Sequence, residues 1–209
     1  MEILLQGFIS GIKKLKNEDI IVNIITESHF LTLYRFYGLR HSIINIGRKI
    51  DFEVDYNGIF MPRLRAISQL GFTWENDCYK MRYFQRFLHC LDNHLKGTEE
   101  ISSFYFELLN LALKIIQKQS PNRALLDLYA MLLENEGRKS LEDSCFICDK
   151  TLGDKIRIAR GFLSGHSHCI NGDFEIDKER FFGFLRSNKS IFFSEYEVES
   201  LVEILLRGF

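Results

Sequence analysis

Cys145-Phe-Ile-Cys148 and His166-Ser-His-Cys169 are the residues of this chain best suited to chemistry. Thiolates and imidazole in two short knuckles can close a tetrahedral zinc shell, two ligands from each. His166-x-x-Cys169 repeats the spacing of the first pair, which selects Cys145, Cys148, His166 and Cys169, with His168 as the alternative fourth ligand. Four protein ligands leave no position for water, so the expected zinc is structural, not catalytic. Two other readings stand beside it. One is an insert that keeps only remnants of a site, its thiols reduced and idle. The other is a redox Cys-x-x-Cys, which lacks the strand–helix surroundings of that chemistry. Cys78 and Cys90 read as core packing.

A second constellation lies at 31–50, LTLYRFYGLRHSIINIGRKI. From Ser28 to Ile50 the chain carries Arg35, Arg40, Arg48 and Lys49 and no acid. Fixed cations neutralise phosphates, and ring faces stack on unpaired bases, so the mixture suits single-stranded nucleic acid. The expected track is Arg35, Tyr37, Arg40, Arg48 and Lys49, with Lys13, Lys14 and Arg63 as weaker members. The competing reading is a half-buried strand followed by a solvated loop. Asp51, Glu53 and Asp55 share one face of the next strand, as paired carboxylates of a magnesium nuclease do. Alternate acids on an exposed strand are far commoner, and such a ridge repels phosphate. No phosphate-binding Gly-rich loop, zinc-protease helix or nucleophile elbow is present.

The elements that must position these groups follow from periodicity. Segments 6–16, 20–26, 30–37, 50–56 and 60–72 read as short strands, and Asn57-Gly58 as a hairpin turn. Five strands with tight connections in roughly 70 residues make a small closed barrel. Arg is seldom buried unpaired, so Arg35 and Tyr37 are expected outward and Tyr34 and Phe36 inward. From Thr73, read as a cap, the period turns helical. Thr98 with Glu99 and Glu100 opens a second helix, and Ser120-Pro121 a third. Residues 139–173 break the period. Asp177 caps a short helix, and Ser194-x-x-Glu197 is a capping box for the last. The expected class is α+β: a barrel over 1–72, then an all-helical domain over 73–209 with a zinc-ribbon-like insert at about 140–173.

Composition narrows the functions. A net charge of −1 excludes a protein that is basic all over, so any nucleic-acid surface is a local patch. Hydrophobic content of 46% with 26% charged residues suits a globular protein with a proper core. The opening MEILLQGFISGIKK has an early Glu and too short an apolar run for a signal peptide. No run approaches the ~18 residues of a membrane span. Five Cys, an odd number without a secretory signal, point to the reducing cytosol.

The order of these features resembles the RecO family of bacterial recombination mediators. The resemblance is carried by Gln6-Gly-Phe-Ile, Asp19-Ile-Ile-Val, the Gly38-x-Arg40-x-Ser42 loop, and a helical remainder with a Cys-x-x-Cys insert, Phe162-Leu163 and the Phe182 helix. It departs in a less basic loop after Gly38 and in His166, where the four-cysteine form has Cys. The resemblance implies an oligonucleotide-binding (OB) fold and a cytoplasmic, nucleoid-associated protein that is not an enzyme. It implies binding to single- and double-stranded DNA and annealing of strands. It also implies partnership with RecR, with the acidic tail of the single-stranded-DNA-binding protein and, indirectly, with RecA. The alternatives are an adaptor that only docks proteins, and the nuclease.

Overall fold

A computed structural model describes residues 4–209. The chain divides into two compact units, the first ending at Gln117 and the second running Lys118–Phe209. The period change near residue 72 marks the end of the barrel; the first compact unit goes on to take in two helices.

Five strands form the barrel: β1 (Leu4–Lys14), β2 (Ile20–Thr26), β3 (Phe30–Arg35), β4 (Lys49–Asp55) and β5 (Arg63–Leu70). They close in the order β1-β2-β3-β5-β4, every pair antiparallel except β3 with β5. This is consistent with the expected OB fold. Alternation supplies the interior, where Ile9, Ile20, Val22, Ile24, Leu33, Ile50, Phe52 and Leu64 pack together. β4 and β5 are joined by a seven-residue loop rather than a two-residue hairpin. In it the Asn57 side chain accepts from the backbone of Ile59 and Phe60.

Helices α1 (Cys78–His94) and α2 (Ser103–Lys118) complete the first unit. α1 starts later than expected, because Asp77 and not Thr73 caps it, accepting from the N–H groups of Tyr79 and Lys80. Trp74 is turned inward instead, its indole N–H bonded to the Leu113 carbonyl. Thr98 does not open α2 either. The backbone at 99–101 runs extended beside the start of β3, bonded to Phe30 and Ser28. Cys90 is buried as expected, but Cys78 is exposed at the helix start.

The outer face of β1 explains why both helices are needed. Phe8 points outward yet is fully buried, its ring 6.3 Å from Phe84 of α1 and 5.6 Å from Phe106 of α2. The β1–β2 register slips between Ile9 and Gly11, and Ser10 in the slip bonds to Asp92 of α1 at 2.6 Å. Asn23 of β2 donates to the same carboxylate at 3.0 and 3.2 Å.

In the second unit α3 (Pro121–Asn135) is buried along nearly its whole length, capped by Ser120. It packs on α5 (Glu195–Leu205), whose Ser194–Glu197 capping box is formed as expected. Between them come β6 (Lys155–Ile158), β7 (Ser164–Gly165), β8 (Ile176–Asp177) and α4 (Lys178–Ser187), capped by Asp177. The three strands form a small sheet in the order β7-β6-β8. No helix among the described residues is long and apolar enough to cross a membrane.

Removing the Asp92 carboxylate leaves the part-buried Asn23 amide without its acceptor and the buried Ser10 hydroxyl with only the longer contact, 3.3 Å, to the Asn23 carbonyl. Asp92→Ala is expected to lower stability by about 2–3 kcal/mol, measured by urea unfolding. A change under about 0.5 kcal/mol contradicts this role.

Candidate metal centre and nucleic-acid surface

The two knuckles of the insert converge. Ligand atoms of Cys145, Cys148, His166 and Cys169 all lie within 4.8 Å of one another, the one such group of three or more found among the described residues. Cys148 Sγ is 3.8 Å from Cys169 Sγ and 3.5 Å from His166 Nδ1, and Cys169 Sγ is 3.9 Å from that nitrogen. A tetrahedral zinc with its usual bond lengths places sulfurs about 3.8 Å apart, and sulfur about 3.5 Å from nitrogen. Cys148, His166 and Cys169 are therefore at the spacing of a zinc site, and the Cys145 sulfur completes the donor set within 4.8 Å of each.

The choice between the two histidines follows from the backbone. His166 Nε2 bonds to the Thr151 carbonyl at 3.0 Å, so the proton sits there and Nδ1 faces the sulfurs. His168 is exposed and stacks on the His166 ring at 5.0 Å. Each knuckle is a closed turn. Asp149 N–H returns to the Cys145 carbonyl, and Cys169 and Ile170 N–H return to that of His166.

Thiol acidity is divided across the cluster. Burial opposes ionisation of Cys145, but N–H groups of Ile147, His166 and Cys148 and the Cys148 thiol bring it down to about 6. Cys169 is raised to about 11 by burial and by the Cys148 and Cys145 sulfurs around it. The Cys145 thiolate is thus favoured at neutral pH, and ionising Cys169 beside it requires a cation between the sulfurs.

The candidate nucleic-acid residues are only partly brought together. Arg35 ends β3 opposite Ile20, an interior residue, so it lies on the inner row and not outward as expected. Its charge is not stranded there. One guanidinium nitrogen donates to the Leu64 carbonyl at 2.9 Å and another meets His41 at 3.3 Å. Burial, with Arg65 nearby, lowers its pKa from the ordinary guanidinium value. Tyr34 and Phe36 are correspondingly not interior. Tyr34 donates its hydroxyl to Asp19, and Phe36 is 47% exposed. Tyr37 adopts a left-handed φ of 48°, rare for an aromatic residue, and its N–H is held by Asp19 at 2.7 Å. The Tyr34 hydroxyl and the Tyr37 N–H hold the Asp19 carboxyl below its ordinary 3.8.

A platform of rings and cations results. Arg40 lies over the Tyr37 ring at 4.9 Å and pairs with Glu18. Arg63, opposite Tyr34 in the β3–β5 pair, lies over Phe36 at 5.1 Å. Tyr56, Phe60 and Met61 of the β4–β5 loop are also exposed. Neither Phe36 nor this loop belongs to the expected track: the expected strand phase turns Phe36 inward, and a turn at Asn57-Gly58 alone leaves Tyr56, Phe60 and Met61 within strands. Lys13 and Lys14 are exposed at the end of β1.

Arg48 and Lys49 are engaged elsewhere in the unit. Arg48 pairs with Glu75 at 2.5 Å, the two side chains only 21% and 9% exposed. Lys49 is opposite Phe8 and shares its outer face. Its ammonium lies over the Phe8 and Phe106 rings at 5.6 and 5.3 Å and donates to Asn110 of α2. Burial lowers its pKa. The acids of β4 are taken up locally: Asp51 accepts from Gln6, and Asp55 pairs with Arg65. They form no close group with Glu53 of the kind a metal nuclease needs.

Residues 5–75 match the family model described as RecO N terminal. That match covers the barrel, about a third of the chain. No curated protein matches the chain.

Purified protein is expected to hold about one equivalent of zinc, and Cys145→Ser less than about half, by atomic emission. Less than half an equivalent in the parent contradicts the assignment. Arg48→Ala leaves the buried Glu75 carboxylate uncompensated and is expected to cost about 3 kcal/mol in urea unfolding. If Arg48→Ala unfolds like the parent, the residue is not the structural cation described above.

Proposed function

We propose that this chain is a recombination mediator of the RecO type. In this reading it binds single- and double-stranded DNA and anneals complementary strands. With RecR, it helps load RecA onto DNA coated by single-stranded-DNA-binding protein. It carries no catalytic centre, and it works in the cytoplasm at the nucleoid.

The observation that carries the reading is the platform at the ends of β3 and β5 on a barrel matched to the RecO N-terminal model. Arg40 over Tyr37 and Arg63 over Phe36 each join a cation to an exposed ring. A phosphate meets the cation while an unpaired base meets the ring. The track proposed on this basis is Tyr37, Arg40 and Arg63 with Phe36. Arg35 steadies the platform from within, and Lys13 and Lys14 extend the positive surface. Arg48 and Lys49 are left out of it, because their partners hold them within the unit. The metal centre, with four protein ligands, serves as a brace for the insert.

A docking role for the second unit has its own support. Ile191, Phe192 and Tyr196 are largely exposed around the start of α5. In the mediator reading this face receives the acidic tail of the single-strand-binding protein. In the adaptor reading it is the whole of the function.

The two readings part in a salt titration with a labelled single-stranded oligonucleotide. The parent is expected to bind at low salt, with log affinity falling linearly in log salt. Arg40→Ala with Arg63→Ala is expected to weaken binding for all sequences and to flatten that slope by about 1.4, roughly 0.7 for each lost phosphate contact on a single strand. Absence of binding by the parent at low salt favours the adaptor. An unchanged slope in the double variant removes both residues from the track.

A further inference from the structure

We infer that Arg157 is the positioning residue of the metal centre: it presets the second knuckle, and metal affinity depends on it although it supplies no ligand atom. This rests on reading Cys145, Cys148, His166 and Cys169 as a metal centre.

Arg157 lies on β6, the middle strand of the small sheet, directly opposite Gly165 of β7. The next residue along the chain is His166. From this place one guanidinium nitrogen, Nη1, reaches across the knuckle and donates to two backbone carbonyls, Ser167 at 2.8 Å and Ile170 at 3.1 Å. Those carbonyls bracket His168 and Cys169. The other terminal nitrogen, Nη2, is steadied by Glu175 at 3.2 Å, and the side chain is only 21% exposed.

The turn held in this way is tight. A Cβ on Gly165 would fall 2.8 Å from Ile170 Cδ1 and 3.2 Å from Cys145 Sγ, so the chain doubles back against the first knuckle at this point. Backbone bonds close the knuckle over only four or five residues. Arg157 is what ties it to the sheet through a side chain. A planar guanidinium with fixed donors can serve two carbonyls and an acid at once; an ammonium offers a point charge with no such fork. The charge has a use as well. Three thiolates around a divalent ion leave one net negative charge, and a fixed cation on the adjoining backbone offsets it. The second knuckle is therefore shaped before metal arrives, and binding need not supply the order.

The experiment is a cobalt(II) and zinc titration of the metal-free full chain against a competing chelator, followed by the cobalt–thiolate absorption. In the parent this band is expected to saturate at one equivalent. Arg157→Met is expected to weaken both ions by about 10- to 100-fold, the usual range for loss of an outer partner of a metal site. Its spectrum at saturation should match the parent's, because the four ligands are unchanged. Arg157→Lys keeps charge and length and guards against a folding failure of the first variant; it is expected to recover part of the loss but to stay at least about fivefold weaker. Glu175→Gln leaves both carbonyl bonds in place and is expected to stay within about threefold of the parent. Far-ultraviolet dichroism of each metal-free variant, unchanged from the parent, separates positioning from unfolding. If Arg157→Met and Arg157→Lys both bind within about threefold of the parent, the positioning role is overturned. If the parent binds neither ion, the metal centre itself fails, and the two failures are distinguishable in the same titration.

Discussion

A strand with apolar residues on both faces governs the first unit. Ile9 fills the barrel interior, while Phe8 beside it points out, and both are fully buried. Burying one such ring is worth roughly 2–3 kcal/mol, enough to require a cover. Phe84 of α1 and Phe106 of α2 provide it. The cover decides what becomes of nearby charge. Lys49 shares the outer face with Phe8, so its ammonium ends between two rings and an amide rather than in water. Arg48, one residue earlier, meets a nearly buried carboxylate. Arg40 just beyond β3 and Arg63 at the start of β5 have no such cover, and there the Tyr37 and Phe36 rings stay exposed beside them.

The second unit solves a different problem. α3 and α5 supply an apolar core, and the segment between α3 and α4 adds only short strands, with Ile156, Ile158 and Phe162 buried among them. Small structures of that kind cannot rely on hydrophobic burial alone. The cluster of three sulfurs and an imidazole can take over part of the task by holding a metal. Cys145 ionises readily and Cys169 resists, and a divalent ion resolves the conflict by making every thiolate favourable. A metal bound there would add folding energy to the insert, with His166 oriented by the Thr151 carbonyl on Nε2.

Much of this was legible in the residues. Alternation gave the five strands, Ser120, Asp177 and Ser194 announced their helices, and the repeated knuckle spacing picked out the four side chains that come together. The misreadings are instructive for the same reason. The strand with Tyr34, Arg35, Phe36 and Tyr37 has two phases of equal apolarity, and the rule against buried Arg chose the wrong one. A strand end lets a guanidinium enter the inner row and still reach a carbonyl, as Arg35 does with Leu64. Thr73 and Asp77 are both competent caps, and the contest was settled by where Trp74 found its acceptor. Arg48 and Lys49 looked free because their partners, Glu75 and Asn110, lie far along the chain. Local pattern carries strand and cap; it does not carry tertiary pairing.

The order of the metal ligands along the chain has a consequence for synthesis. Cys145 and Cys148 leave the ribosome before His166 and Cys169 exist. At about 5–20 residues per second, roughly one to four seconds pass before the second pair follows. During that interval the nascent chain presents two thiols with no metal cage around them, one of them acidic in the finished protein. Oxidants and stray soft metals can reach this early pair, so if the cluster takes up a metal, the yield of loaded protein would depend on the redox state and metal supply met during translation.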